Sequence, residues 1–106
     1  MRTGQVVLLN FPFSDLTEAK YRPAVVLAVG SFGDLVVCLV TSQPVGKAIE
    51  LDDVSFMNGG LVKASRVVPD RIFTASQKLV GKVVGKLTKQ KLDEIRDAVI
   101  AVIRGE

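Results

Sequence analysis

The chain has 106 residues, 48% of them hydrophobic and 24% charged, which is the composition of one globular domain and leaves no room for a separate cofactor-binding fold. It contains no histidine and one cysteine, which excludes His-based acid–base catalysis, His/Cys zinc sites, the serine triad and any intrachain disulfide. The net charge is only +3, yet residues 63–91 hold eight basic residues against one acid, Asp70, while the remainder holds six against ten. Segregation of this kind is the footprint of a polyanion binder or of a lysine-rich solvated surface.

Val7, Leu9, Phe11 and Phe13 fall at every second position, which predicts a first strand over residues 5–11 with one buried face, stopped by Pro12. The polar stretch 14–20 breaks both periodicities and reads as a loop leading to Tyr21-Arg22-Pro23. Two apolar, β-branched runs follow, 24–29 and 35–40, separated by Gly30-Ser31-Phe32-Gly33. They predict a hairpin of two central strands, the second of them holding Cys38 as a small buried hydrophobe without a chemical role. Neither run approaches the ~20 apolar residues of a membrane span, and the N-terminus offers no signal-peptide core. The expected compartment is the cytoplasm, with no membrane contact.

Residues 47–51 predict a short edge strand, and 52–60 a turn-rich connection closing on Gly59-Gly60. Residues 61–68 and 72–74 read as extended, broken by Pro69-Asp70, with a short helical turn over 76–80. Residues 81–87, Gly-Lys-Val-Val-Gly-Lys-Leu, are no phosphate-binding loop: three residues separate the glycines, and Leu87 stands where a Walker motif needs Ser or Thr. Leu92, Ile95, Val99, Val102 and Ile103 recur at helical spacing, with Thr88 as N-cap and Leu87 packing on Leu92 as a staple. Four to six strands followed by one amphipathic helix predict a mainly β fold, a small curled sheet or half-open barrel with the helix packed on it, in a single domain over residues 1–106.

Arg22 precedes a proline that holds it extended at the junction of loop and strand. Its planar fork suits a phosphate, and it equally suits a surface ion pair with Asp15 or Glu18. Thr41 and Ser42 close an apolar strand with one hydroxyl on each face, for turn amides or for an anion held by Arg22. Asp70 either pairs with Arg66 or Arg71 or meets a bound substrate. Lys82, Lys86, Lys89 and Lys91 form either a phosphate patch or a solvated face.

In this order the motifs resemble a known family. Gly4-Gln5-Val6-Val7-Leu8-Leu9-Asn10-Phe11-Pro12-Phe13-Ser14-Asp15 is similar to the N-terminal signature of the MazF/PemK toxins of bacterial toxin–antitoxin systems. Arg22-Pro23-Ala24-Val25-Val26-Leu27 resembles that family's Arg-Pro strand, and Thr41-Ser42-Gln43 its strand-end motif. Residues 60–65, Asp70-Arg71-Ile72-Phe73-Thr74 and Gly85-Lys86-Leu87 resemble the later strands. The resemblance implies an SH3-like β-barrel with a C-terminal helix, a homodimer, a small acidic antitoxin as cognate partner, and endoribonuclease activity on single-stranded mRNA without metal or other cofactor. It implies Arg22 and Thr41 as catalytic residues at the scissile phosphate. Around them the expected substrate contacts are Ser42, Gln43, Asp15, Lys20, Arg66, Asp70, Lys82 and Lys86. One departure is Val68, where some members carry an arginine two residues before the acid.

That chemistry is physically coherent without histidine. In RNA the 2′-hydroxyl attacks the neighbouring phosphorus, so the protein needs only to hold an in-line geometry and neutralise developing charge, leaving a 2′,3′-cyclic phosphate. The alternatives are a nucleic-acid-binding barrel without catalysis, or a toxin of the same fold that binds a protein such as gyrase. Gyrase-binding relatives share a C-terminal tryptophan patch, and this chain has no Trp.

Overall fold

A computed structural model describes residues 1–11 and 20–106, the side chains of Phe11 and Lys20 excepted. The described residues form strands β1 (Gln5–Phe11), β2 (Lys20–Val29), β3 (Leu35–Thr41), β4 (Ile49–Leu51), β5 (Phe56–Gly59), β6 (Ser65–Ala75) and β7 (Val80–Leu87), then helix α1 (Lys89–Arg104). The strands make one antiparallel sheet in the order β4-β6-β3-β2-β1-β7-β5, curled as a half-barrel with α1 against it. The expected SH3-like β-barrel with a C-terminal helix is the fold observed.

Both faces of the central strands are buried, which is why their sequences are nearly continuous in apolar residues. Val6, Val25, Cys38, Val40 and Val67 pack with Leu92, Ile95 and Val99 of α1. On the other face Val7, Leu9, Ala24, Val26, Leu35 and Val37 form a second cluster. At ~1.5–3 kcal/mol for each large side chain removed from water, these two layers hold the hairpin rigid. The helix begins as the sequence predicts: the Lys91 amide donates to Thr88 Oγ1 at 3.1 Å, and Leu87 and Leu92 share the helix-side cluster. Its end departs from expectation. Val102 is 43% and Ile103 72% exposed, because the last turn overruns the layer on which Leu92, Ile95 and Val99 sit.

Three further differences have local causes. The connection 52–60 contains a 3-10 turn at Asp53–Ser55 and the strand β5. Residues 80–87 form β7, whose pairing with β1 slips at Val6/Val7 and again at Leu8/Leu9, so simple alternation is erased. Strand β6 runs on through Pro69 rather than breaking there. Val40 pairs with Val67 and Cys38 with Ile72, so residues 68–71 bulge opposite Leu39, and Pro69 sits where the ladder needs no N–H.

Two interruptions of the ladder are anchored from outside. The Arg96 guanidinium of α1 donates to the Leu27 carbonyl at 2.8 Å, where the β2–β3 register shifts. The Cys38 thiol donates to the Val68 carbonyl at 3.0 Å, at the start of the β6 bulge. Burial, with the Asp70 charge nearby, pushes that thiol up to about 12.

Candidate functional site

The β6 bulge faces the ends of β2 and β3 across an open groove of about 970 Å³. Arg22 and Thr41 stand two residues beyond the Ala24–Leu39 pair on each strand, so alternation carries both onto the face of the second apolar cluster. Both line the groove, together with Lys47, Asp70 and Arg71. Its other wall is apolar: Val45 and Ile49 from the segment after β3, and Ala98, Ala101 and Val102 from the end of α1. Glu106 also lines it. The lining thus combines three cations, one hydroxyl and the carboxylates of Asp70 and Glu106 with an apolar surface, a combination suited to a phosphate with an apolar group beside it.

The polar groups of the groove retain hydrogen-bonding capacity among the described residues. Arg22 is exposed and finds no hydrogen-bond or ion-pair partner among the described residues. The suggested pairing with Asp15 or Glu18 lies outside the described residues, as do the substrate contact of Asp15 and the side chain of Lys20. Thr41 Oγ1 accepts the Gln43 amide at 3.1 Å, which leaves the hydroxyl proton for a further acceptor. Asp70 makes no ion pair with Arg66 or Arg71 among the described residues.

Arg66 does not line the groove. It pairs with Thr41 on one side and Glu50 on the other. Its Nε lies 3.1 and 3.2 Å from the two Glu50 carboxylate oxygens, and Nη1 donates to the Ser42 carbonyl at 2.9 Å. Ser42 and Gln43 are exposed in the turn after Thr41, beside the groove rather than in its wall. Lys82 and Lys86 lie on β7, with β1 between them and β2. Lys82 pairs with Leu8 and Lys86 with Gln5 on either side of a register slip, so the two do not form one patch. Lys89 and Lys91 are engaged on the helix itself, by Asp93 at 3.4 Å and Glu94 at 2.8 Å. The basic segment 63–91 is therefore divided among several surfaces.

Sequence reasoning missed Arg71 and Lys47 as groove residues. The available signal for Arg71 was Pro69-Asp70-Arg71 inside an extended stretch, since proline within a strand marks a bulge and a bulge re-aims the residues after it. Lys47 carries no comparable signal. Among the described residues no group of three or more His, Cys, Asp or Glu is assembled for a metal, and no helix is long and apolar enough to cross a membrane.

Comparison with known proteins gives a consistent family picture. The sequence model of the PemK-like, MazF-like toxins of type II toxin–antitoxin systems matches residues 2–103. No curated protein sequence matches with significance. Among solved structures, the chain is similar to MazF from Deinococcus radiodurans, at 23% identity and a TM-score of 0.70, covering 100% of this chain and 97% of that one. It is similar to the MazE–MazF structure from the same organism, at 20% identity and a TM-score of 0.73, covering 97% and 94%. It also resembles an endoribonuclease in complex with its cognate antitoxin from a mycobacterial species, at 16% identity and a TM-score of 0.71, covering 99% and 93%.

Proposed function

Because the chain belongs to the PemK-like, MazF-like toxin family of type II toxin–antitoxin systems, we propose that its groove is the active site of an endoribonuclease that cuts single-stranded mRNA in the cytoplasm. The observation that carries this reading is the meeting of Arg22 and Thr41 on one face of adjacent strands, beside Asp70 and Arg71. A solved relative of the same fold is itself named an endoribonuclease.

In the proposed reaction the 2′-oxygen forms a bond to phosphorus as the bond to the 5′-oxygen breaks. One product ends in a 2′,3′-cyclic phosphate and the other in a 5′-hydroxyl, the proton lost from the 2′-oxygen being balanced by one gained at the leaving oxygen. Arg22 neutralises the non-bridging oxygens, whose charge grows towards the transition state, and Thr41 donates its free hydroxyl proton to one of them. Asp70 accepts a hydrogen bond from the 2′-hydroxyl. Arg71 and Lys47 hold flanking phosphates, and the Val45, Ile49 and Val102 wall receives a base. No step requires a metal, and the chain offers no histidine as ligand.

The proposal extends to assembly. Ile100 and Ile103 leave an apolar helix surface exposed, and a homodimer would cover surface of this type. The named relatives include an antitoxin complex, and an acidic antitoxin segment would compete with RNA for Arg22, Lys47 and Arg71. The deciding experiment replaces the 2′-hydroxyl at the cleavage position by hydrogen. Cutting should cease while binding changes little, and continued cutting of the deoxy strand would refute 2′-attack.

A further inference from the structure

We infer that Arg66 is a positioning residue for Thr41, acting through the peptide between Ser42 and Gln43, with Glu50 as its anchor. This rests on the catalytic reading of Thr41 given above. The geometry comes from three adjacent strands. Thr41 of β3, Arg66 of β6 and Glu50 of β4 are successive cross-strand partners, so their side chains rise from one row. Arg66 is the middle member and is only 15% exposed in its side chain.

The two ends of one peptide group are held by this row. The Ser42 carbonyl accepts from Arg66 Nη1 at 2.9 Å, and the Gln43 amide of the same peptide donates to Thr41 Oγ1 at 3.1 Å. A carbonyl bonded to a cation polarises its peptide and makes the attached N–H a stronger donor. The guanidinium is in turn held by the Glu50 carboxylate, both of whose oxygens accept from its single Nε–H, at 3.1 and 3.2 Å, in a bifurcated charge-assisted contact. A threonine has few χ1 choices, and here one is selected by the amide it accepts. Its hydroxyl proton is then confined to directions away from that amide. Arg66 thus aims the Thr41 donor without meeting the substrate. Its identity matters because a lysine cannot reach the carboxylate and the carbonyl with two differently directed N–H groups on one rigid plane.

The test combines a structural and a kinetic readout on the full chain. Three-bond couplings to the Thr41 methyl carbon report its χ1 angle: wild type should give one rotamer, and Arg66→Ala an average over several. Glu50→Gln should move the couplings the same way to a smaller extent. It serves as the second variant should Arg66→Ala lose the native circular dichroism spectrum. Cleavage by Arg66→Ala should fall about tenfold in kcat with KM nearly unchanged, and Thr41→Ala with Arg66→Ala should be no slower than Thr41→Ala alone within about twofold. A single Thr41 rotamer in both variants would overturn the inference. So would additive losses with a shallower salt dependence, which would make Arg66 a direct RNA contact. Should Thr41→Ala keep full rate, the catalytic reading fails, and the couplings alone decide the positioning role.

Discussion

Arg22 and Thr41 occupy matching positions on neighbouring antiparallel strands, each two residues past the Ala24–Leu39 pair and each open to the same groove. Neither belongs to the buried core. Arg22→Ala and Thr41→Ala should therefore each lower the cleavage rate by about tenfold to a hundredfold or more, as loss of one charge-stabilising donor does, with unchanged circular dichroism and thermal midpoint. Thr41→Ser should retain more activity than Thr41→Ala. Full rates in both alanine variants would move the catalytic groups away from Arg22 and Thr41.

Cleavage should persist in excess EDTA. The chain has no histidine, and the described carboxylates are not gathered into a metal-binding group. A time course of oligonucleotide cutting with and without chelator measures this directly. Loss of activity restored by magnesium would contradict it.

Salt dependence should distinguish the basic surfaces. Removing one cation that neutralises a phosphate of a single-stranded ligand reduces the slope of log affinity against log salt by about 0.7. Lys47→Ala with Arg71→Ala, both in the groove, should flatten that slope more than Lys82→Ala with Lys86→Ala on β7. The reverse order would move the RNA path across β1.

The Cys38 thiol, fully buried and pushed up from 9.0 to about 12 mainly by that burial, ties stability to alkaline pH. Above pH 9 the unfolded chain releases this proton while the folded chain keeps it, so folding stability contributed by the thiol is intact below about pH 9 and falls as pH rises from there towards about 12. Urea titrations at pH 7, 9 and 10 should show a decline that Cys38→Ala lacks. An equal decline in both would assign it to other groups.

The first strand and the helix that starts at Thr88 were legible because each shows one undisturbed periodicity, and the hairpin of β2 and β3 because two continuous apolar runs flank a glycine-containing turn. What was hidden lies where periodicity is interrupted. Strand β7 slips twice against β1. A Cβ at Gly81 would come 2.5 Å from the Tyr21 ring, so this glycine marks a close approach of side chain to backbone. Residues 68–71 bulge, and only that bulge carries Asp70 and Arg71 to the groove. Arg22 and Thr41 were found from their motifs, whereas the Arg66–Glu50 pair depends on β4 lying beside β6, a long-range pairing that local sequence does not encode.

The sheet ends in strands of very unequal reach compared with its centre: β4 has three residues and β5 four, against eleven in β6. The Glu50 carbonyl on β4 is approached by Lys91 Nζ at 3.4 Å, and β5 stops at Gly59, where φ is +67° and a Cβ would lie too close to the Val84 carbonyl. These outer strands cover only part of their neighbours: β4 pairs with Ser65–Val67 of β6 and β5 with Gly85–Leu87 of β7, and both neighbours run on past them. A partner strand that extended this sheet would therefore have to run along β6 or β7 beyond the short outer strands, where the ladder is longest.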